Sequence, residues 1–207
     1  INSVSDLLSL ARSCAYDQWS VGKTVILQKD LSLEGMLWEP IPSFSGQFKG
    51  NGHTVSDLTI TGQYSPAGLF GIVEEQGSIE SLSVRGVVSV SDSADTTTGG
   101  IVGINHGTLI SCQFTGVVTG DSEVGGIVGR NESEGTIDHS TARAIVTGKS
   151  STGGIAGYNL GAITGCTNVG SINTEYPEAS LDTDGFTAKM VDYINNKMAA
   201  AADDATN

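Results

Sequence analysis

A four-residue pattern, Gly-x-x-Gly, returns along the middle of this chain at a nearly constant interval. It stands as Gly68-Leu69-Phe70-Gly71, Gly100-Ile101-Val102-Gly103, Gly126-Ile127-Val128-Gly129 and Gly154-Ile155-Ala156-Gly157, with spacings of 32, 26 and 28 residues. A self-similar period between about 20 and 50 residues is the signature of a solenoid, where each repeat buries its apolar face only by stacking on the next. The similarity runs on past the glycines. Ser78-Ile79, Thr108-Leu109, Thr136-Ile137 and Ala162-Ile163 follow in turn, each behind a glycine (Gly77, Gly107, Gly135 and Gly161). Then come Leu82, Cys112, Ser140 and Cys166 at one shared position. Three alternate positions complete the match: Val84, Phe114, Ala142 and Asn168; Gly86, Gly116, Ala144 and Gly170; Val88, Val118, Val146 and Ile172.

Alternation with period two is a strand signal, and the glycine pairs punctuate it as turns. No Pro occurs from Ala67 to Tyr176, as strands with neighbours on both sides require. A unit of this length is too long for one hairpin and lacks the periodic helix of a leucine-rich or βαβ unit. The expected fold is therefore all-β, a right-handed parallel β-helix. The long spacer between Val88 and Gly99 reads as a loop insertion. Cys112 and Cys166 fall two coils apart, near 10 Å at the usual strand spacing. That is too far for a disulfide, so they read as small buried residues.

Solenoid ends need caps. Ser3 or Ser5 can start a helix running to about Cys14, with Leu7, Leu8, Leu10, Ala11 and Cys14 on its apolar side. That helix and the strand-like Thr24-Val25-Ile26-Leu27 form the expected N-terminal cap, and Val55, Leu58 and Ile60 the first full coil. Asp182 or Asp184 can cap a C-terminal helix from Phe186 to Met198, with Phe186, Met190, Tyr193 and Ile194 as its stripe. Residues 1–66 are thus cap and first coil, 67–176 the repeats, and 177–207 a helix and acidic tail.

Composition narrows function by exclusion. Of 207 residues 28 are Gly, and the net charge is −13, which removes the basic footprint of a nucleic-acid binder. No apolar window approaches the length of a membrane span. The chain begins at Ile1 and not at Met, which reads as a piece of a larger parent.

Gly68-Leu69-Phe70-Gly71 and its successors resemble the GLUG-motif repeats. The lead-in Phe48-Lys49-Gly50-Asn51-Gly52-His53-Thr54-Val55, followed by Leu58-Thr59-Ile60, is similar to the segment that commonly precedes them. The resemblance spans roughly residues 1–176. It implies a β-helix of the kind found in large bacterial surface proteins and in non-catalytic regions of the immunoglobulin A1 protease family. The zinc-protease pattern His-Glu-x-x-His of that family is absent from the sequence. The implied location is extracellular, secreted or cell-wall associated.

No motif points to catalysis. His53, His106 and His139 lack metal-ligand spacing, and His139 falls on an outward strand position by parity with Thr141 and Arg143. Gly148-Lys149-Ser150 lacks the first glycine of a phosphate loop, since position 143 is Arg143. Asp182-Thr183-Asp184-Gly185 lacks the last ligand of a calcium loop and reads as a helix cap. The turns before the glycine pairs gather Asp92 and Asp95, then Asp121 and Glu123, then Lys149. These carboxylates are the candidates for calcium or for acid–base chemistry on a polysaccharide. An outward column of Val87, Val117 and Ile145, flanked by Arg85, Thr115 and Arg143, reads as an exposed contact surface or as a seat for the C-terminal helix. The expected function is a non-enzymatic extracellular stalk, adhesion or protein-interaction module without a cofactor, meeting a host or cell-surface protein or glycan. A carbohydrate-active domain is the alternative; from Gly68 to Gly170 only Phe70, Phe114 and Tyr158 supply aromatics, which weighs against a glycan groove.

Overall fold

The structure, a computed structural model, describes residues 1–16, 18–90 and 96–173. Ser3 is extended (φ −153°, ψ 162°) and its hydroxyl accepts from the Asp6 N–H, so the helix Val4–Ser13 begins with a satisfied cap. Leu7 and Leu10 bury its inner side, and Cys14 closes the helix, also buried.

From there the chain coils. Residues Thr24–Ile26, Gln47–Lys49, Ser78–Glu80, Thr108–Ile110, Thr136–Asp138 and Ala162–Thr164 form one parallel sheet, each strand from the next coil. A second holds Ile41–Phe44, Phe70–Val73, Val102–Asn105, Val128–Asn131 and Ala156–Asn159, so each Gly-x-x-Gly runs into one of its last four strands. The third is the longest, built on Thr54–Gly62, Ser83–Val90, Gln113–Thr119 and Thr141–Thr147. A short fourth sheet, Thr98–Gly99, Val124–Gly125 and Thr152–Gly153, turns a corner. The result is a parallel β-solenoid of about 5 turns, with a single short helix among the described residues.

The register matches the aligned columns residue for residue: Val84–Phe114–Ala142, Gly86–Gly116–Ala144 and Val88–Val118–Val146 are ladders. The coiling begins earlier than expected. Thr24–Ile26 pairs with Gln47–Lys49, and Leu31–Ser32 with Val55–Ser56, so the segment assigned to the cap is already a rung. Ile1–Asn173 is one compact unit. The expected C-terminal helix, its Asp182 or Asp184 cap and the acidic tail lie outside the described residues.

The interior is apolar along its length. Phe44, Phe48 and Phe70 meet at centroid distances of 5.3–6.3 Å, and the buried Trp38 donates to the Leu69 carbonyl (3.1 Å). Further along, the Phe114 ring lies where a Cβ on Gly100 would sit, 2.3 Å away, so the glycine makes room for the largest side chain of the next sheet.

Corners carry ladders of their own. Ser81, Ser111, His139 and Gly165 share a left-handed backbone (φ 52°, 52°, 44° and 61°). His139 is therefore a corner residue and not a strand residue, though exposed as expected. A second corner is polar, buried at Asn105 and Asn131 and exposed at Asn159. Asn105 Nδ2 donates to Asn131 Oδ1 (2.7 Å), and Asn131 Nδ2 to Asn159 Oδ1 (2.8 Å). Each amide also bonds its own coil two or four residues on, at the carbonyls of Gly107, Gly135 and Gly161.

Candidate functional site

Of the four turn carboxylates, Asp121 and Glu123 each face a cation of their own. Asp92 and Asp95 lie outside the described residues. Asp121 pairs with Lys149 of the next coil (Oδ1 to Nζ 2.7 Å), and its carbonyl accepts from the Lys149 and Ser150 N–H groups. Glu123 sits in a left-handed turn (φ 47°), accepts from the Thr97 hydroxyl (3.0 Å), and pairs with Arg130 (2.8 Å). Arg130 reaches Glu132 through Nε (2.6 Å) and lies 4.9 Å from the centre of the Tyr158 ring. Both carboxylates thus already face a cation. Among the described residues no group of three or more His, Cys, Asp or Glu is placed to share a metal.

The cysteine column is structural. The buried Cys112 N–H donates to Ser140 Oγ (3.1 Å), and the Ser140 N–H reaches Cys166 Sγ (3.4 Å). All three cysteines are free thiols. Burial pushes the Cys112 thiol up to about 12 and the Cys14 thiol up to about 11, which suppresses the reactive thiolate.

The outward column is only partly open. Arg85 and Arg143 are exposed and Val87 and Ile145 are half-buried, but Val117 is fully buried and Thr115 nearly so. The expectation of an exposed Val117 is corrected. It stands between two aliphatic residues, Val87 and Ile145, in the ladder, whereas Val87 borders Thr59 and Ile145 borders Ser171 on their other sides. What stays accessible is a basic pair flanking two aliphatic shoulders.

His53 fills its turn as expected. Its Nδ1 lies 3.1 Å from Asp30 Oδ1, which also accepts from the Thr54 N–H. These two contacts, the backbone one foremost, hold Asp30 below the ordinary carboxylate value.

Sequence reasoning missed a cleft of about 570 Å³ at the N-terminal end of the second sheet. The turn after the helix contributes Gln18 and Val21, and the strand Ile41–Phe44 with its following corner contributes Ser43 and Ser45. Glu74, Glu75 and Gln76 enter from the next coil and His106 from the one after. Ser43 Oγ donates to Glu74 Oε1 (2.7 Å), and the Ser45 N–H donates to Ser20 Oγ (2.9 Å), which ties the turn to the strand. Among the described residues neither Glu74 nor Glu75 makes an ion pair within 4.0 Å. The turn also carries Tyr16, Trp19 and Lys23. Tyr16 and Trp19 are 76% and 37% exposed, and Lys23 Nζ sits 4.8 Å from the Trp19 ring centre and donates to the Trp19 carbonyl.

These columns define a glycine-cornered parallel solenoid. Residues 120–147, one full coil, match the family model of the GLUG motif, so the chain carries that motif in its repeats. A halomucin of Haloquadratum walsbyi is 32% identical over 155 residues, 69% of this chain and 2% of the halomucin. A protein described as a Gly-rich membrane protein, from Evansella cellulosilytica, is 29% identical over 137 residues, 48% of this chain and 16% of that protein. The chain therefore spans a small part of the length of either relative. A crystal structure assigned as an immunoglobulin A1 protease from Bacteroides ovatus superposes with a TM-score of 0.46 at 15% identity, covering 88% of this chain and 80% of that one. Among the described residues no helix is long and apolar enough to cross a membrane.

Proposed function

We propose that this chain is a non-enzymatic β-solenoid module of a larger extracellular protein, secreted or held at the cell wall. It acts as a stalk and offers outer faces to a host or cell-surface protein or glycan. One observation carries the reading: the residues that recur from coil to coil are consumed by stacking. The glycines admit neighbouring rings and carbonyls, the asparagines bond along a corner, and the Cys112–Ser140–Cys166 column bonds inward. A polysaccharide-cleaving site needs a carboxylate free to trade protons, and the two described turn carboxylates expected for that role, Asp121 and Glu123, are held by Lys149 and Arg130. The halomucin and the Gly-rich membrane protein support a place at the cell exterior, and the small share of each that the chain covers supports a longer parent. No cofactor is assigned. Arg85 and Arg143, beside Val87 and Ile145, form one contact face in this reading.

The test combines two measurements. Protease shaving of intact producing cells should release peptides of residues 1–173, and a panel of polysaccharides incubated with the purified chain should yield no new reducing ends. Turnover abolished by Asp121→Ala or Glu123→Ala would instead establish the carbohydrate-active alternative.

A further inference from the structure

The cleft at the N-terminal end of the second sheet has a lining chemistry that the stalk role leaves unused. Two amides, Gln18 and Gln76, and two hydroxyls, Ser43 and Ser45, face a space of about 570 Å³ together with the carboxylates of Glu74 and Glu75 and the ring of His106. Val21 is the lone aliphatic member. A pocket built for an apolar ligand has the reverse balance, apolar walls with few polar points. A wall of amides, hydroxyls and carboxylates offers donors and acceptors side by side, which matches a ligand whose own groups are hydroxyls.

The same turn carries two exposed aromatic residues outside the set that lines the space. Tyr16 and Trp19 lie in the turn that gives Gln18 and Val21, and both rings are accessible. The Lys23 ammonium holds the Trp19 ring in place, as expected of a cation over an indole face. Aromatic side chains present an apolar body with few rotatable bonds, a fit for the C–H face of a pyranose. The scarcity of aromatics that argued against a glycan groove is a property of the repeats alone; the exposed Tyr16 and Trp19 stand before them.

Charge selects among glycans. Glu74 and Glu75 lack a cationic partner among the described residues, and the chain carries a net charge of −13. A uronic-acid or sulfated chain would be repelled. The site is also pre-formed, since the Ser45–Ser20 and Ser43–Glu74 hydrogen bonds fix its walls to laddered strands, and a wall that needs no ordering saves affinity.

We propose that this cleft binds an uncharged polysaccharide, with Gln18, Gln76 and Glu74 bonding its hydroxyls and Trp19 stacking on a sugar ring. The inference deepens the contact-module reading and rests on it.

Affinity electrophoresis of the full chain through gels cast with neutral polysaccharides (a β-glucan, a xylan and a galactomannan), with alginate as the acidic control, tests it. Retardation is expected in at least one neutral gel and not in alginate. Trp19→Ala and Gln76→Ala should each weaken it about tenfold, the scale of one lost stacking or hydrogen-bonding contact. Tyr158→Ala, on a distant coil, should leave it unchanged. The double variant Glu74→Gln/Glu75→Gln keeps hydrogen-bonding shape and should retain binding within about threefold. No retardation in any neutral gel, retardation in alginate alone, or retardation indifferent to Trp19 and Gln76 would overturn the site. So would capture of a lysine-rich peptide, in place of the glycans, that vanishes in the double variant. Release of reducing ends from a retarding polysaccharide would sink the non-enzymatic reading and leave the binding site standing.

Discussion

Asn131 makes three side-chain hydrogen bonds where no water reaches: it accepts from Asn105 and donates to Asn159 and to the Gly135 carbonyl. A buried amide left unpaired is costly, so removing the middle rung hurts twice, through its own bonds and through the groups it abandons. Asn131→Ala is expected to cost about 3 kcal/mol, against under about 1 kcal/mol for Asn159→Ala at the exposed last rung. Urea midpoints at unchanged slope would measure the difference, and equal losses at the two positions would refute the ladder's cooperative role. Residues of this kind were visible in the sequence yet unread. Asn105, Asn131 and Asn159 each stand five places after the first glycine of their motif. An asparagine two places past a glycine looks like an ordinary turn residue, so the column's burial was not apparent. Val117 shows the opposite failure. Parity assigns it to the outer face, but parity says nothing about shielding by ladder neighbours, and Val117 is fully buried.

At the scale of the strand, the long third sheet depends on close backbone approach. Gly116, within Gln113–Thr119, has φ 151°, and a Cβ there would come within 1.8 Å of the Gly86 carbonyl oxygen. The same close approach recurs in this column at Gly86, 2.1 Å from the Leu58 oxygen, and at Gly170, 1.8 Å from the Ala144 oxygen, and lapses only at Ala144, which already carries a Cβ. Gly116→Ala should therefore cost about 3 kcal/mol or more, from the clash and the disfavoured φ together. Ala144→Gly should cost about 1 kcal/mol, mostly chain entropy. Thermal or urea unfolding of the pair decides the matter; a Gly116→Ala no worse than Ala144→Gly would mean that the sheet yields at this step. Elements like these were legible because stacking imposes identical demands at every coil, and repetition makes a weak strand signal strong. The corners were not. Ser81, Ser111 and His139 are left-handed without being glycine, and nothing local marks a serine or histidine for that conformation. The cleft escaped for a related reason: its lining comes from three successive coils and the N-terminal turn, each contributing residues outside any shared period.

For the molecule as a whole, the coils are not equivalent, because a solenoid's stability is close to a sum of terms between neighbours. One end is closed by the helix Val4–Ser13, with Leu7 fully buried. At the other described end, Ile163 and Ile172 are 38% and 39% exposed, while their ladder equivalents Ile79, Leu109 and Ile137, and Val88, Val118 and Val146, are at 0%. A residue that buries less surface returns less on folding. Leu109→Ala should then cost about 2–5 kcal/mol, the usual range for a filled core, and Ile163→Ala under about half of that. The same gradient sets the order of opening. Native-state hydrogen exchange should find the amides of Thr108–Ile110 and Thr136–Asp138 slow and those of Ala162–Thr164 fastest, because local openings cost least where burial is least. Uniform protection across these three strands would mean that the coils open together and that end exposure does not govern the molecule. Fast exchange beginning at Gln47–Lys49 would place the weak end beside the helix, and with it would fall the account of that helix as the cap of the solenoid.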